Sequence, residues 1–309
     1  NVDAIAMRYN GVDKVQLKNK ELVIGTSVGN VKELYPYSYQ VQEGKRQTVD
    51  CKYVVRDNVV RFKVGEYSRN STIVIDPTLI FSTFTGSSID NWGYTATPGP
   101  DGSFFAGGIA FGPGYPVSTG SFQTIFNGGP NEDALPGYDM AIIKFSPDGT
   151  KRLYATYLGG SGNEQPHSMI CDPQGNLIVA GRTNSTNYPL KPLGNKVGPS
   201  GTKDYDIVVT KFNANGTGIL GSIKIGGSGD DGVNIRSKYA APGGADATRR
   251  NYGDDARSEV ILDNSGNIYL ASCTQSTDFF VTPGTYAQTT FGGGRQDGAI
   301  LKFNSTLSS

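Results

Sequence analysis

Tyr138-Asp139-Met140-Ala141-Ile142-Ile143-Lys144-Phe145 is a stretch that this chain of 309 residues uses more than once. It returns as Tyr205-Asp206-Ile207-Val208-Val209-Thr210-Lys211-Phe212, and again as Asp297-Gly298-Ala299-Ile300-Leu301-Lys302-Phe303. In each copy an Asp leads, a short apolar run follows, and Lys-Phe closes it. Recurrence of this kind marks an architecture built by repetition.

Other features recur in step with it. Phe81-Ser82-Thr83-Phe84-Thr85-Gly86 matches Tyr154-Ala155-Thr156-Tyr157-Leu158-Gly159 and, more loosely, Gly221-Ser222-Ile223-Lys224-Ile225-Gly226. A turn and strand follow in each copy, at Asp101-Gly102-Ser103-Phe104-Phe105, Gln174-Gly175-Asn176-Leu177-Ile178 and Ser265-Gly266-Asn267-Ile268-Tyr269. Gly86 to Gly159 and Gly102 to Gly175 are both 73 residues; Gly175 to Gly266 and Asp206 to Asp297 are both 91. These offsets define units of four strands over residues 79–145, 152–212 and 219–303. Within the opening stretch Ala141, Ile143 and Phe145 fall on one face of a strand, with Met140 and Ile142 on the other. Apolar residues on both faces belong to a sheet packed between two neighbours, whereas a half-wet strand alternates. Tandem four-stranded sheets packed in this way are β-propeller blades, and the Asp-to-Phe stretch reads as the last strand of its blade. Three units fall short of the roughly 4 to 8 that close a propeller, so further blades of the same chain are expected.

Residues 1–76 read differently. Lys14-Val15-Gln16-Leu17-Lys18 and Val60-Arg61-Phe62-Lys63-Val64 alternate apolar with charged, the pattern of antiparallel strands with one wet face. The segment is expected to be a small sandwich-like β domain with an upstream strand missing. Tyr35-Pro36-Tyr37-Ser38-Tyr39 is placed at an edge or bulge because proline cannot donate to a ladder. Pro77 sets the boundary with the repeats of 77–309. The fold class is all-β, and the 42 glycines fit short strands joined by tight turns.

Twenty-eight basic residues balance 28 acidic ones, which removes the positive field that nucleic-acid binding draws on. No apolar run reaches the ~18 residues of a membrane helix. Cys51, Cys171 and Cys273 are too scattered for a zinc site and read as buried free thiols.

The entry Ile75-Asp76-Pro77-Thr78-Leu79-Ile80-Phe81, the run Tyr154 to Asn163, and Phe279-Phe280-Val281-Thr282-Pro283-Gly284 with Phe291-Gly292-Gly293-Gly294 resemble the bacterial SBBP β-propeller repeat proteins. The aromatic segment Pro36-Tyr37-Ser38-Tyr39-Gln40 is similar to the β domain that often precedes those repeats. The resemblance implies a secreted or cell-surface protein of Bacteroidetes-type bacteria, in a family where type IX secretion sorting domains and adhesion modules are common. It also places the Phe279–Gly294 segment between the third and fourth strands of its blade.

The candidates for chemistry are few. His167 is the sole histidine, which disfavours acid–base triads and histidine metal centres, and it reads as a partly exposed turn residue. Asp230 and Asp231 are the best placed for calcium, followed by Asp254 and Asp255, but Asp and Gly are ordinary turn formers and no cofactor is expected. Asp139, Asp206 and Asp297 recur at one position, which points to turn capping. Ser146-Pro147-Asp148-Gly149-Thr150 only faintly suggests a sialidase-type Asp box. The repeat is broken most by the insertion at 234–258, whose Tyr239, Arg249, Arg250, Tyr252, Asp254, Asp255 and Arg257 are the candidate binding residues, since rim insertions carry specificity. The connection from Gly112 to Tyr138 is a lesser candidate. The expected function is a non-enzymatic surface module for adhesion or assembly, with a protein, glycan or secretion-machinery partner. The alternatives are a glycan-active enzyme completed by further blades, and a structural spacer.

Overall fold

The computed structural model of the chain describes residues 2–27, 29–42, 44–76, 81–132, 135–199, 204–234, 258–284 and 290–308. The chain forms two compact units, Asn1–Ser82 and Thr83–Ser309. Apart from a 3₁₀ turn at Val2–Ala4, the regular structure of the described residues is strand.

In the first unit β1 (Met7–Arg8), β2 (Lys14–Lys18), β3 (Glu21–Thr26), β4 (Gly29–Glu33), β5 (Tyr37–Gln42), β6 (Lys45–Val49), β7 (Cys51–Arg56), β8 (Val59–Val64) and β9 (Ile73–Asp76) form three sheets. Their orders are β1-β8-β7, β2-β3-β4 and β6-β5-β9. Val15, Leu22 and Ile24 bury themselves with Val60, so the β2-β3-β4 and β1-β8-β7 sheets pack face to face. Pro36 is not in an edge strand: it immediately precedes β5, the middle strand of its sheet, where its missing N–H interrupts no ladder.

The second unit begins with a four-stranded antiparallel sheet of β10 (Asn91–Pro98), β11 (Phe104–Ala110), β12 (Asp139–Phe145) and β13 (Arg152–Leu158). The next is built from β14 (Glu164–Cys171), β15 (Leu177–Thr183), β17 (Asp206–Phe212) and β18 (Ile219–Ile225), with the short β16 (Lys196–Val197) on its outer edge. The third holds β19 (Glu259–Leu262), β20 (Ile268–Thr274) and β21 (Asp297–Phe303). The faces follow the expected alternation. Met140 and Ile142 pack with Leu177, Val179 and Val208 between the first and second sheets. Ile178, Ala180, Ile207 and Val209 pack with Val260, Ile268 and Leu270 between the second and third.

The sheets are phased one strand later than the sequence units. Tyr154–Leu158 closes the first sheet and does not open the second, so the Asp-to-Phe stretch is the third strand of four, not the last. The tight turn Ser146–Lys151 forces β12 and β13 to pair as a hairpin. A tandem repeat constrains the period and leaves open where a sheet begins. The same shift puts Phe279–Gly294 between second and third strands. It also accounts for residues 81–87 forming no strand and for Phe84 being 94% exposed, because the first sheet already has its four strands.

The connection from Gly112 to Tyr138 serves the scaffold. Tyr115, Val117 and Phe126 cover Ala141, Ile143, Ala155 and Tyr157 on the open face of the first sheet. Its backbone runs along the free edge of β13: Ser118 N donates to Ala155 O (2.9 Å), and Gln123 O accepts from Tyr157 N (3.0 Å). Lys191 and β16 line β18 in the same way. Covered edges do not recruit foreign strands.

The charged ends of the repeated stretch have distinct roles. Lys211 lies 3.0 Å from Asp172 and Lys144 3.9 Å from Asp101, tying the third strand to the turn between the first two. Asp139 accepts the backbone N–H groups of Asn127 (2.8 Å) and Gly128 (3.0 Å), and Asp297 accepts that of Gly292 (3.2 Å), as turn caps should. Asp206 departs from the pattern: Lys224 Nζ sits 2.8 Å away. At the first seam Tyr157 stands where Lys224 stands at the second, by the 67-residue offset. Asp139 there hydrogen-bonds Glu164, whose other partners are the hydroxyls of Thr183 and Ser185 and the N–H of Gly160. Burial pushes both carboxyls above their ordinary range. They share a proton where the second seam uses an ammonium group.

Two measurements check this frame. Phe212 is fully buried with its ring 5.7 Å from that of Phe122, so Phe212→Ala should lower the unfolding free energy by about 3–5 kcal/mol in guanidinium titrations. A group that binds its proton more tightly when folded loses stabilisation as pH rises through its raised value. The urea midpoint should therefore fall between about pH 6.5 and about pH 8, a window in which an ordinary carboxylate has finished titrating. Glu164→Gln should flatten that slope, and an unchanged slope would rule out the shared proton.

Candidate functional site

Tyr239, Arg249, Arg250, Tyr252, Asp254, Asp255 and Arg257 lie outside the described residues. The two anchors of their insertion, Asn234 and Ser258, are described, and both enter one polar cluster. Asn234 Oδ1 accepts the Gln296 amide at 2.9 Å and lies 3.6 Å from Cys273 Sγ. Ser258 Oγ lies 2.9 Å from His167 Nδ1 and 2.8 Å from Ser272 Oγ.

A bulge recurs in the first strands of the first two sheets. In β10 the pairing register slips between Gly93 and Thr95, at Tyr94; in β14 it slips between Pro166 and Ser168, at His167. A bulge turns the extra residue out of the ladder and re-aims its side chain. The backbone then crowds the neighbouring strand: a Cβ on Gly181 would meet Gln165 O at 2.3 Å, and one on Gly108 would meet Trp92 O at 1.8 Å. Tyr94, His167 and Ser258 stand 73 and 91 residues apart, the offsets of the repeat itself. They are one position of the blade carrying three different functional groups.

His167 is buried within β14, contrary to its expected place in an exposed turn. Burial, with Arg182 nearby, holds its pKa well below the ordinary imidazole value, so the ring is neutral. Arg182, on β15, is fully buried; its Nη2 donates to Gln165 Oε1 at 2.7 Å and its guanidinium stacks on the Tyr205 ring at 4.2 Å. The Tyr205 and Tyr138 hydroxyls lie 3.2 Å apart and both donate to Glu132. Asn163 Nδ2 reaches the same carboxylate at 3.4 Å. Cation–π stacking on a desolvated ring is worth roughly 2 kcal/mol, enough to hold the guanidinium in one place.

The arrangement offers hydrogen-bond donors more than reactive groups. His167 Nε2 has no hydrogen-bond partner among the described residues, so no carboxylate orients the ring as an acid–base triad requires. Asp230 Oδ1 accepts Tyr205 N (3.0 Å), and Asp231 Oδ2 accepts Gly227 N (2.7 Å) and Ser276 Oγ (2.9 Å). Those lone pairs serve the turn, and no group of three or more His, Cys, Asp or Glu able to hold a metal ion is found among the described residues. Cys51, Cys171 and Cys273 are free thiols.

Residues 1–78 match the family model of a domain of unknown function, DUF7948, and residues 153–189 match that of a β-propeller repeat, SBBP. The second match runs across a sheet boundary, from β13 through β15, as the phase of the sheets requires. No curated protein matches the chain. Among solved structures the chain is similar to a protein of unknown function from Dyadobacter fermentans DSM 18053, at 10% identity over 90% of this chain and 80% of that one, with a TM-score of 0.32. It is also similar to a structural genomics protein of unknown function from Bacteroides thetaiotaomicron VPI-5482, at 12% identity over 88% and 84% of the two chains, with a TM-score of 0.18.

Because His167 is the chain's sole histidine, its Cε1–H proton is a single resolved NMR probe. Its shift should stay constant from about pH 8 to about pH 5.5 in the folded protein and titrate near the ordinary value of about 6.5 once urea unfolds it. A folded-state inflection at the ordinary value would mean that the ring is exposed.

Proposed function

The chain belongs, through its repeat at residues 153–189, to the SBBP β-propeller repeat family, and we propose that it is a non-enzymatic binding module of the bacterial exterior. On this reading it holds a protein or glycan partner at the face from which the 235–257 insertion emerges, and it serves adhesion or surface assembly, with export by a type IX route. The observation that carries the reading is the set Tyr94, His167 and Ser258. A scaffold position repeats its residue, as Asp139, Asp206 and Asp297 do; a position that reads a partner has to differ from blade to blade. This one differs, and it lies beside the segment that departs most from the repeat. The balanced charge of the chain favours a partner held by local contacts over one drawn in by a long-range field.

A second contact surface is favoured by the third sheet. Ile261 (55% exposed) and Ile300 (92%) lie in the open, whereas Val209, the counterpart of Ile300 in the second sheet, is fully buried against its neighbour. Another sheet of the same repeat fits that face.

Replacing residues 235–257 with a short Gly-Ser linker tests the main reading. Binding to bacterial surfaces, or to hits from glycan and protein panels, should weaken at least about tenfold while the melting temperature holds. Undiminished binding would reject it, and so would turnover of a panel member that a single substitution in the cluster abolishes.

A further inference from the structure

We propose that residues 82–86 are a donor strand that completes the third sheet of a second copy of this chain. The inference rests on the reading that another sheet of the repeat covers Ile300, and it names where that sheet comes from.

The third strands of the first two sheets are paired on both sides, β12 with β11 and β13, β17 with β15 and β18. β21 holds the same place in the third sheet and pairs with β20 alone among the described residues. Its outer row of N–H and C=O groups is an open edge, a template for a strand from another chain. The complementary piece precedes the first sheet. Phe81-Ser82-Thr83-Phe84-Thr85-Gly86 matches Tyr154 to Gly159, in the fourth strand of that sheet, at the 73-residue offset. Residues 82–86 nevertheless pair with no strand, although Phe and Thr favour one.

The side chains agree with such a pairing. Phe84 stands where Tyr157 does, yet Tyr157 is buried and Phe84 lies in the open. Thr83 stands where Thr156 does and Ile300 where Ile142 does, and those two are opposite each other in the first sheet. The same register sets Thr83 against Ile300 and Phe84 against Ala299, as Tyr157 lies against Ala141. A donating copy also brings its first sheet toward the exposed Ile261 and Ile300 of the acceptor. Tyr115 does not bar that approach: its counterpart Tyr188, 73 residues on, packs between the first and second sheets. One contact thus closes the edge and covers the open face. Donation in both directions makes the interface identical on the two copies, so assembly stops at a dimer. Twice three sheets falls within the roughly 4 to 8 that close a propeller.

Size-exclusion chromatography with light scattering tests this on the 309-residue chain. A mass of twice 32.9 kDa that halves on dilution is expected. Phe84→Asp changes a side chain that is already exposed, so the monomer should keep its circular dichroism spectrum while the dimer weakens at least about tenfold. Disulfide trapping reads the register. Thr83→Cys protein mixed with Ile300→Cys protein should form a covalent dimer on oxidation. Mixing it with Lys302→Cys protein, or oxidising each variant alone, should give far less. A monomer at every concentration, a dimer indifferent to Phe84→Asp, or equal trapping with Lys302→Cys would overturn the proposal. So would a Thr83→Cys, Ile300→Cys double variant that links within one chain while the mixture does not; that result keeps a covering sheet over Ile300 and rejects the second copy. The dimer is measured without any surface or glycan, so its failure leaves the reading of the insertion standing.

Discussion

A strand that is apolar on both faces has to be covered on both faces, and the repeated part of this chain is arranged around that constraint. β17 illustrates it: Ile207 and Val209 pack toward the third sheet, Val208 and Phe212 toward the first. Burial of large aliphatic and aromatic side chains contributes about 1.5–3 kcal/mol each, so the stack of sheets is strongly favoured over isolated ones. Charge is pushed to the strand ends. Lys144 and Lys211 are placed where their ammonium groups reach Asp101 and Asp172 while their stems lie along buried surface. What cannot be covered by a neighbouring sheet is covered by the chain's own connections, as Tyr115 and Phe126 cover the first sheet.

Polar groups that do enter the interior lie at seams and bulges. The two seams answer one electrostatic problem in two ways. Lys224 neutralises Asp206, whereas Asp139 and Glu164, with Tyr157 in the place of that lysine, are left to share a proton. Asp231, held by Ser276 and Gly227, is pushed up to about 6 by burial. The bulges differ from the seams in kind. At the seams each carboxylate is held by the chain's own groups, Asp206 by the Lys224 ammonium and Asp231 by Gly227 N and Ser276 Oγ. The bulge at His167 buries a ring nitrogen with no hydrogen-bond partner among the described residues, near the guanidinium that stacks on Tyr205.

Much of the fold could be read from single residues. Asp139, Asp206 and Asp297 betray the repeat, and Met140 against Ala141 betrays the two buried faces. The set Tyr94, His167 and Ser258 was also within reach, because it obeys the same 73- and 91-residue offsets. It is hard to notice because similarity draws the eye to what repeats, and a site of this kind is defined by what does not. The loops misled for a different reason. Gly112–Tyr138 resembles a specificity loop in length and composition, and only its packing on Ala155 and Tyr157 reveals an edge cover.

What the sequence determined by itself was the period, the strand type and the demand for cover on both faces, because these follow from local composition and side-chain alternation. What only the tertiary structure decided was the phase of the sheets, the burial of His167 and the grouping of Gln165, Arg182 and Tyr205. Those depend on which strand pairs with which. A repeating sequence admits every cyclic choice of sheet boundary equally, and it takes the tight turn between β12 and β13 and the bulge in β14 to select one.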